Sequence, residues 1–163
     1  MPEITALGID PASSTGYCLM RGDLEIAGGA ITVAGPGWTK TPETAAEASI
    51  VLGNLLRKMN YEHSPIDIIV CENPTSRSRG IGKAYGILMA GLVVPAKLLD
   101  IPLTFVLPTV WKKQVVGAGN ATKHAYATYA MSVIGRAPDN EDHAAAICLA
   151  RYGQTVDAPI KEK

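Results

Sequence analysis

Cysteine is scarce in this chain: Cys18, Cys71 and Cys148 are the only three among 163 residues, and they stand far apart. An odd count with no CxxC pair argues against a disulfide framework and supplies no metal or redox motif. Each thiol lies among apolar neighbours, which predicts buried, reduced cysteines. Net charge is missing too, with 15 basic residues against 15 acidic ones. No apolar run is long enough to span a bilayer; the longest, Gly86 to Ala96, is short and glycine-rich. A basic flank followed by an apolar stretch is absent from the N-terminus, so no signal peptide is visible. The expectation is a cytoplasmic protein with no membrane partner. Internal repeats and low-complexity segments are also absent.

What is present is apolar residue, 47% of the chain and spread along it, enough to build one core without staples. This predicts a single domain over residues 1–156 and a short tail from Asp157 to Lys163. The charges are unevenly placed. Between Asn73 and Pro138 lie Arg77, Arg79, Lys83, Lys97, Lys112, Lys113, Lys123 and Arg136, with Asp100 as the single acid, so this segment carries +7 and the remainder −7. Such asymmetry can set a basic surface beside an acidic site.

Hydrophobic patterning predicts three strands, Ile4 to Ile9, Tyr17 to Met20 and Leu24 to Val33, arranged as an antiparallel meander. A turn from Asp10 to Gly16 joins the first two. Thr41-Pro42 has the form of a helix start, and apolar residues then recur at helical spacing to Met59. Further strands are expected at Ile66 to Cys71 and Pro102 to Leu107. Further helices are expected at Ala84 to Leu99, Pro108 to Val115, Thr122 to Ile134 and Asn140 to Tyr152, the last ending at Gly153. Three strands followed by alternating helices and strands indicate a mixed α/β sheet, five-stranded and flanked by helices.

Asp10 and Glu72 each close a strand, and Asp139-Asn140-Glu141-Asp142 opens the final helix. Strand-end side chains converge at one edge of an open sheet, and a helix N-terminus there could bring a third carboxylate. Several carboxylates in one crevice repel unless cations bridge them, and hard oxygen ligands suit Mg²⁺, with Mn²⁺ as a substitute. Two such ions about 4 Å apart can serve phosphodiester hydrolysis. Singly, each acid has an ordinary reading: Asp10 as a turn opener, Asp142 as a charge on the helix dipole.

Four segments together resemble the RuvC family of Holliday junction resolvases, as a phage or bacterial variant. They are Gly8-Ile9-Asp10-Pro11 with Thr15-Gly16-Tyr17, Val70-Cys71-Glu72-Asn73-Pro74, Pro108 through Lys123, and Asp142 to Gly153. They stand in family order and span nearly the whole chain. The resemblance implies a ribonuclease H-like fold, two Mg²⁺ ions per active site, branched DNA such as four-way junctions as substrate, and a homodimer. It implies metal-ligand roles for Asp10, Glu72 and Asp142, and catalytic, DNA-contacting roles for Lys112 and Lys123, where lysine can offset developing charge. The loop from Thr75 to Lys83 occupies the place of a DNA-probing element. It offers Arg77, Arg79 and Lys83, beside Lys113 elsewhere, and lacks an aromatic wedge.

The last helix departs from the family pattern of two acidic ligands three residues apart. Asp139 with Asp142 keeps the spacing. The apolar context instead pairs Asp142 with Ala145, the position of a missing acid, natural or introduced. Glu141 or His143 could partly compensate, although His143 also reads as a solvent-facing helix residue. Three other readings stand beside the resolvase: a nuclease of the same fold acting on flaps or RNA, a catalytically silent junction-binding module, and an actin-like or sugar-kinase-like ATPase. The last is disfavoured by the short chain and the lack of a second phosphate loop.

Overall fold

The structure is a computed structural model that describes residues 3–35, 39–63, 65–74 and 81–156. A five-stranded sheet has the order β3-β2-β1-β4-β5. Strands β1 (Thr5–Asp10), β2 (Ser14–Arg21) and β3 (Leu24–Thr32) form the antiparallel meander, with a register shift at Leu19/Met20. Strands β4 (Ile68–Glu72) and β5 (Leu103–Val106) then add in parallel beside β1. The tail expected from Asp157 lies outside the described residues.

Alternating side chains divide the core between the two sheet faces. On one face Leu7, Ile9, Leu19, Ile69 and Cys71 pack against Leu52 and Leu56 of α1 (Pro42–His63) and against Ile87, Leu88 and Leu92. Thr41 starts α1 by accepting from the Thr44 N–H at 3.2 Å. Helix α2 (Ile81–Leu88) runs through a π-helical turn, Met89–Val93, into α3 (Val94–Leu98), where one continuous helix was expected.

On the other face Ala6, Cys18, Met20, Ile68 and Val70 meet α6 (Glu141–Thr155), with Trp111 and Tyr126 completing the cluster. Trp111 ends α4 (Pro108–Trp111), which passes into a second π turn, Lys112–Val116; Tyr126 belongs to α5 (Lys123–Ile134). Helix α6 does not stop at Gly153. That residue is buried within the helix, and a Cβ there would stand 2.8 Å from Val70 Cγ2. A glycine expected as a terminator is instead a close-packing point between helix and sheet.

Candidate active site

Asp10 and Glu72 directly follow Ile9 and Cys71, which are paired in the parallel register of β1 and β4. Both carboxylates therefore leave the sheet at the same edge. Asp142 comes to them from above, because α6 descends onto β2 at Gly16, the partner of Asp10 in the antiparallel register. A Cβ on Gly16 would overlap the Asp142 carbonyl, and one on Gly8 would overlap the Ala146 carbonyl. The two glycines let the helix approach closely enough to deliver its first-turn acid.

The electrostatics follow from this grouping. Burial pushes the Asp10 carboxyl up to about 8, the negative charges of Glu72 and Asp142 add to the rise, and Lys112 and Lys123 oppose it. Burial also raises Glu72, offset by a hydrogen bond from Trp111 and by the Lys112 charge. Trp111 Nε1 donates to Glu72 Oε2 at 2.7 Å. The Lys112 ammonium lies 5.5 Å from the ring centres of both Trp111 and Tyr126. Lys123 pairs with Glu141 at 2.7 Å, both side chains being exposed, so a phosphate could displace that partner at little cost.

The acidic run at the start of α6 is divided among four tasks. Asn140 caps the helix, its Oδ1 accepting from the His143 N–H at 2.9 Å. Glu141 holds Lys123, and Asp142 faces Asp10. Asp139 takes Arg136 at 3.0 Å and sets its other oxygen beside Gly29 of β3, two strands from β1. Ala145, one helical turn beyond Asp142, is buried in the core cluster and offers no ligand atom.

His143 is a correction to the expectation of a solvent-facing residue: it is fully buried. Its Nδ1 accepts from the Asp139 N–H at 3.0 Å, which leaves Nε2 as the donor to Glu25 Oε2 at 2.7 Å. Arg136 binds the other Glu25 oxygen at 2.6 Å. His143 thus lies in a network with Glu25, Arg136 and Asp139 and does not substitute for an acid at position 145. Cys18, Glu25 and His143 are close enough to share a cation. Each ring nitrogen of His143 and each oxygen of Glu25 already has a partner, however, and Arg136 supplies the positive charge.

Of the other basic residues, Lys83 and Lys113 are exposed, while Arg77 and Arg79 lie outside the described residues. All three cysteines are free and buried. Trp111 and Tyr126 went unnoticed in the sequence as site neighbours. The available signal was a tryptophan directly before Lys112, since a buried indole N–H needs an acceptor.

Comparison with known proteins places this arrangement. The chain is 28% identical over 160 residues to the crossover junction endodeoxyribonuclease RuvC of Nitratidesulfovibrio vulgaris (strain DP4), covering 90% of each chain. In structure it matches Thermus thermophilus RuvC with a TM-score of 0.67 at 18% identity, over 93% of this chain and 98% of that one. It matches T. thermophilus RuvC in complex with a Holliday junction substrate with a TM-score of 0.73 at 19% identity, over 90% of each. No protein-family profile matches the chain. The fold is the ribonuclease H-like fold of RuvC, and the resemblance to the RuvC family carried by the four motifs is borne out. Among the described residues no helix is long and apolar enough to cross a membrane.

Proposed function

We propose that the chain is a structure-selective endonuclease that hydrolyses phosphodiesters in four-way junctions or other branched DNA. The observation that carries this reading is the convergence of Asp10, Glu72 and Asp142 with Lys112 and Lys123 at one sheet edge. Burial and the charges of Glu72 and Asp142 disfavour ionisation of Asp10, and the oxygens of the three acids are the hard donors that Mg²⁺ or Mn²⁺ takes. By the chemistry of its donors this set would suit a divalent cation, or two. Bound there, the ions would supply Lewis-acid assistance to phosphodiester hydrolysis. Asp10, Glu72 and Asp142 would hold them. Lys112, close to Asp10 and Glu72, draws a phosphate to the acids and offsets charge that builds on it. Lys123 can exchange Glu141 for a phosphate oxygen. Lys83 and Lys113, with Arg77 and Arg79, extend the DNA contact.

A homodimer suits this substrate, because a four-way junction is nearly twofold symmetric and two cuts need two sites. The segment Ala84 to Leu99 supports it. One side, Ala84, Ile87, Leu88, Leu92 and Ala96, is buried in the core, while Tyr85, Met89, Val94 and Leu98 leave an exposed apolar face. Reduced, buried thiols accord with a cytoplasmic setting.

The test is cleavage of a synthetic four-way junction beside duplex, flap and single-stranded controls, with and without Mg²⁺. Mg²⁺-dependent cutting of the junction, lost in Asp10→Asn and reduced in Lys112→Ala and Lys123→Ala, is expected. Preference for the flap, or for an RNA-containing strand, would move the substrate within the same chemistry. Junction binding without cutting would favour a silent binding module, the reading that Ala145 keeps open.

A further inference from the structure

Trp111 and Tyr126 stand behind the acids without being among them. Resting on the nuclease reading, we propose that they are a positioning pair: Trp111 fixes the Glu72 carboxylate, and the two rings together hold the Lys112 ammonium beside it.

Indole N–H is a donor only, so its bond to Glu72 Oε2 takes up one oxygen and restricts rotation of the carboxylate. The other oxygen remains for the site. The bond is made by a side chain that cannot itself swing, since Trp111 is only 1% exposed and packs edge-on against Tyr126 with ring centres 5.5 Å apart.

The same rings take the next residue. Lys112 has its ammonium 5.5 Å from each ring centre, within the range of cation–π attraction. Two faces meeting at 73° make a corner that limits where the ammonium can stand. Backbone geometry contributes, because the π turn Lys112–Val116 begins at this lysine. A π turn admits one more residue than an α turn and changes where its side chains point. In effect one aromatic corner couples the carboxylate that ends β4 to the lysine that directly follows α4. A tryptophan serving the core alone would need an acceptor for its N–H, but nothing would require that acceptor to be the carboxylate that ends β4 beside Asp10's strand.

The two rings separate in their expected effects. Replacement of Trp111 by benzothienylalanine keeps the bicyclic shape and deletes the N–H; Trp111→Phe is the simpler variant. Calorimetric titration with Mn²⁺ should show affinity weakened by roughly tenfold or more, as for other partners that orient metal ligands, with the metal-free melting temperature of the benzothienyl protein little changed. In a Trp38→Phe background, Trp111 is the sole tryptophan. Its emission should shift on Mn²⁺ addition, and Glu72→Gln should abolish the shift. Tyr126→Leu should slow junction cleavage while leaving Mn²⁺ affinity near the parent value, and Tyr126→Phe, which keeps the ring, should restore the rate. Unchanged Mn²⁺ affinity in the benzothienyl protein, with a parent that binds Mn²⁺ and cuts, overturns the pair alone. A parent that neither binds Mn²⁺ nor cuts any branched DNA overturns the nuclease reading itself.

Discussion

Gly16 on β2 lies so close beneath Asp142 that a Cβ on the glycine would overlap the carbonyl of the acid. The first turn of α6 is thereby set onto the strand that pairs with Asp10. Gly16→Ala must push the helix off the sheet, because the obstructing atoms are backbone. Overpacking of this kind costs roughly 1–3 kcal/mol. The variant should melt lower and also bind Mn²⁺ more weakly than a surface variant of equal stability. Parent-like Mn²⁺ affinity would show that Asp142 does not depend on this contact.

The elements of the fold were legible because their patterns are local. Apolar runs broken by a turn gave the meander, Thr41-Pro42 gave the start of α1, and the strand-end positions of Asp10 and Glu72 followed from turn residues. What escaped notice depends on partners distant in sequence. Gly153 reads as a helix stop until Val70 is seen against it. His143 reads as exposed at a helix start until Glu25, on the third strand, is seen to accept a hydrogen bond from its Nε2. Trp111 donates to a carboxylate 39 residues earlier. Pairings between elements are set by the sheet order, and one-dimensional periodicity does not contain that order.

Asp10 makes the stability of the metal-free protein depend on pH. Its carboxyl is raised in the fold from 3.8 to about 8. Between those values the native state keeps a proton that the unfolded chain has released, so stability from this group falls as pH rises through that window and levels off above it. Asp10→Asn removes the effect. In EDTA the variant should melt higher than the parent at pH 8, with the gain shrinking toward pH 4. Melting curves that shift in parallel across this range would contradict the burial of that carboxyl.

Glu25 and His143 form a buried link between β3 and α6. His143→Ala deprives Glu25 of one donor and frees the Asp139 N–H. Because Arg136 still holds Glu25, the cost should be about 2 kcal/mol, below that of a bare buried charge. For a chain of this size that is a fall of roughly 4–8 °C in Tm. Because the acids around Asp10 can also take Zn²⁺, any rise in Tm with equimolar Zn²⁺ should be the same in the parent and in Cys18→Ala. A rise with Zn²⁺ that is lost in Cys18→Ala would make this cluster a metal site and overturn the hydrogen-bonding account.

The exposed face of α2 and α3 carries the dimer proposal. Leu98 is 81% exposed and Met89 52%, so neither contributes much to the core of one protomer. Leu98→Asp and Met89→Asp should therefore leave the melting temperature of an isolated protomer nearly unchanged while shifting the mass in sedimentation from dimer to monomer. Junction cleavage would then lose its paired cuts. A parent that sediments as a monomer at tens of micromolar, with paired cutting intact, would refute the interface.

Ala145 is where the site and the packing make opposing demands. It is one turn beyond Asp142 and therefore on the same side of α6, yet it is buried among small residues where the helix lies tight against the sheet. If position 145 is that of a missing ligand, the parent should bind branched DNA and cut it slowly. Ala145→Asp should then do two things together. In EDTA it adds a fourth carboxylate to a buried cluster, so Tm should fall, by more at pH 8 than at pH 5. With Mg²⁺ the new acid gains a partner, so Tm should recover and the cleavage rate should rise by orders of magnitude. If Ala145 is instead small only to let the helix pack, the variant would be destabilised with or without Mg²⁺ and no faster. Full Mg²⁺-dependent cleavage by the parent, lost in Asp139→Ala, would assign the second helix acid to Asp139 despite its pairing with Arg136.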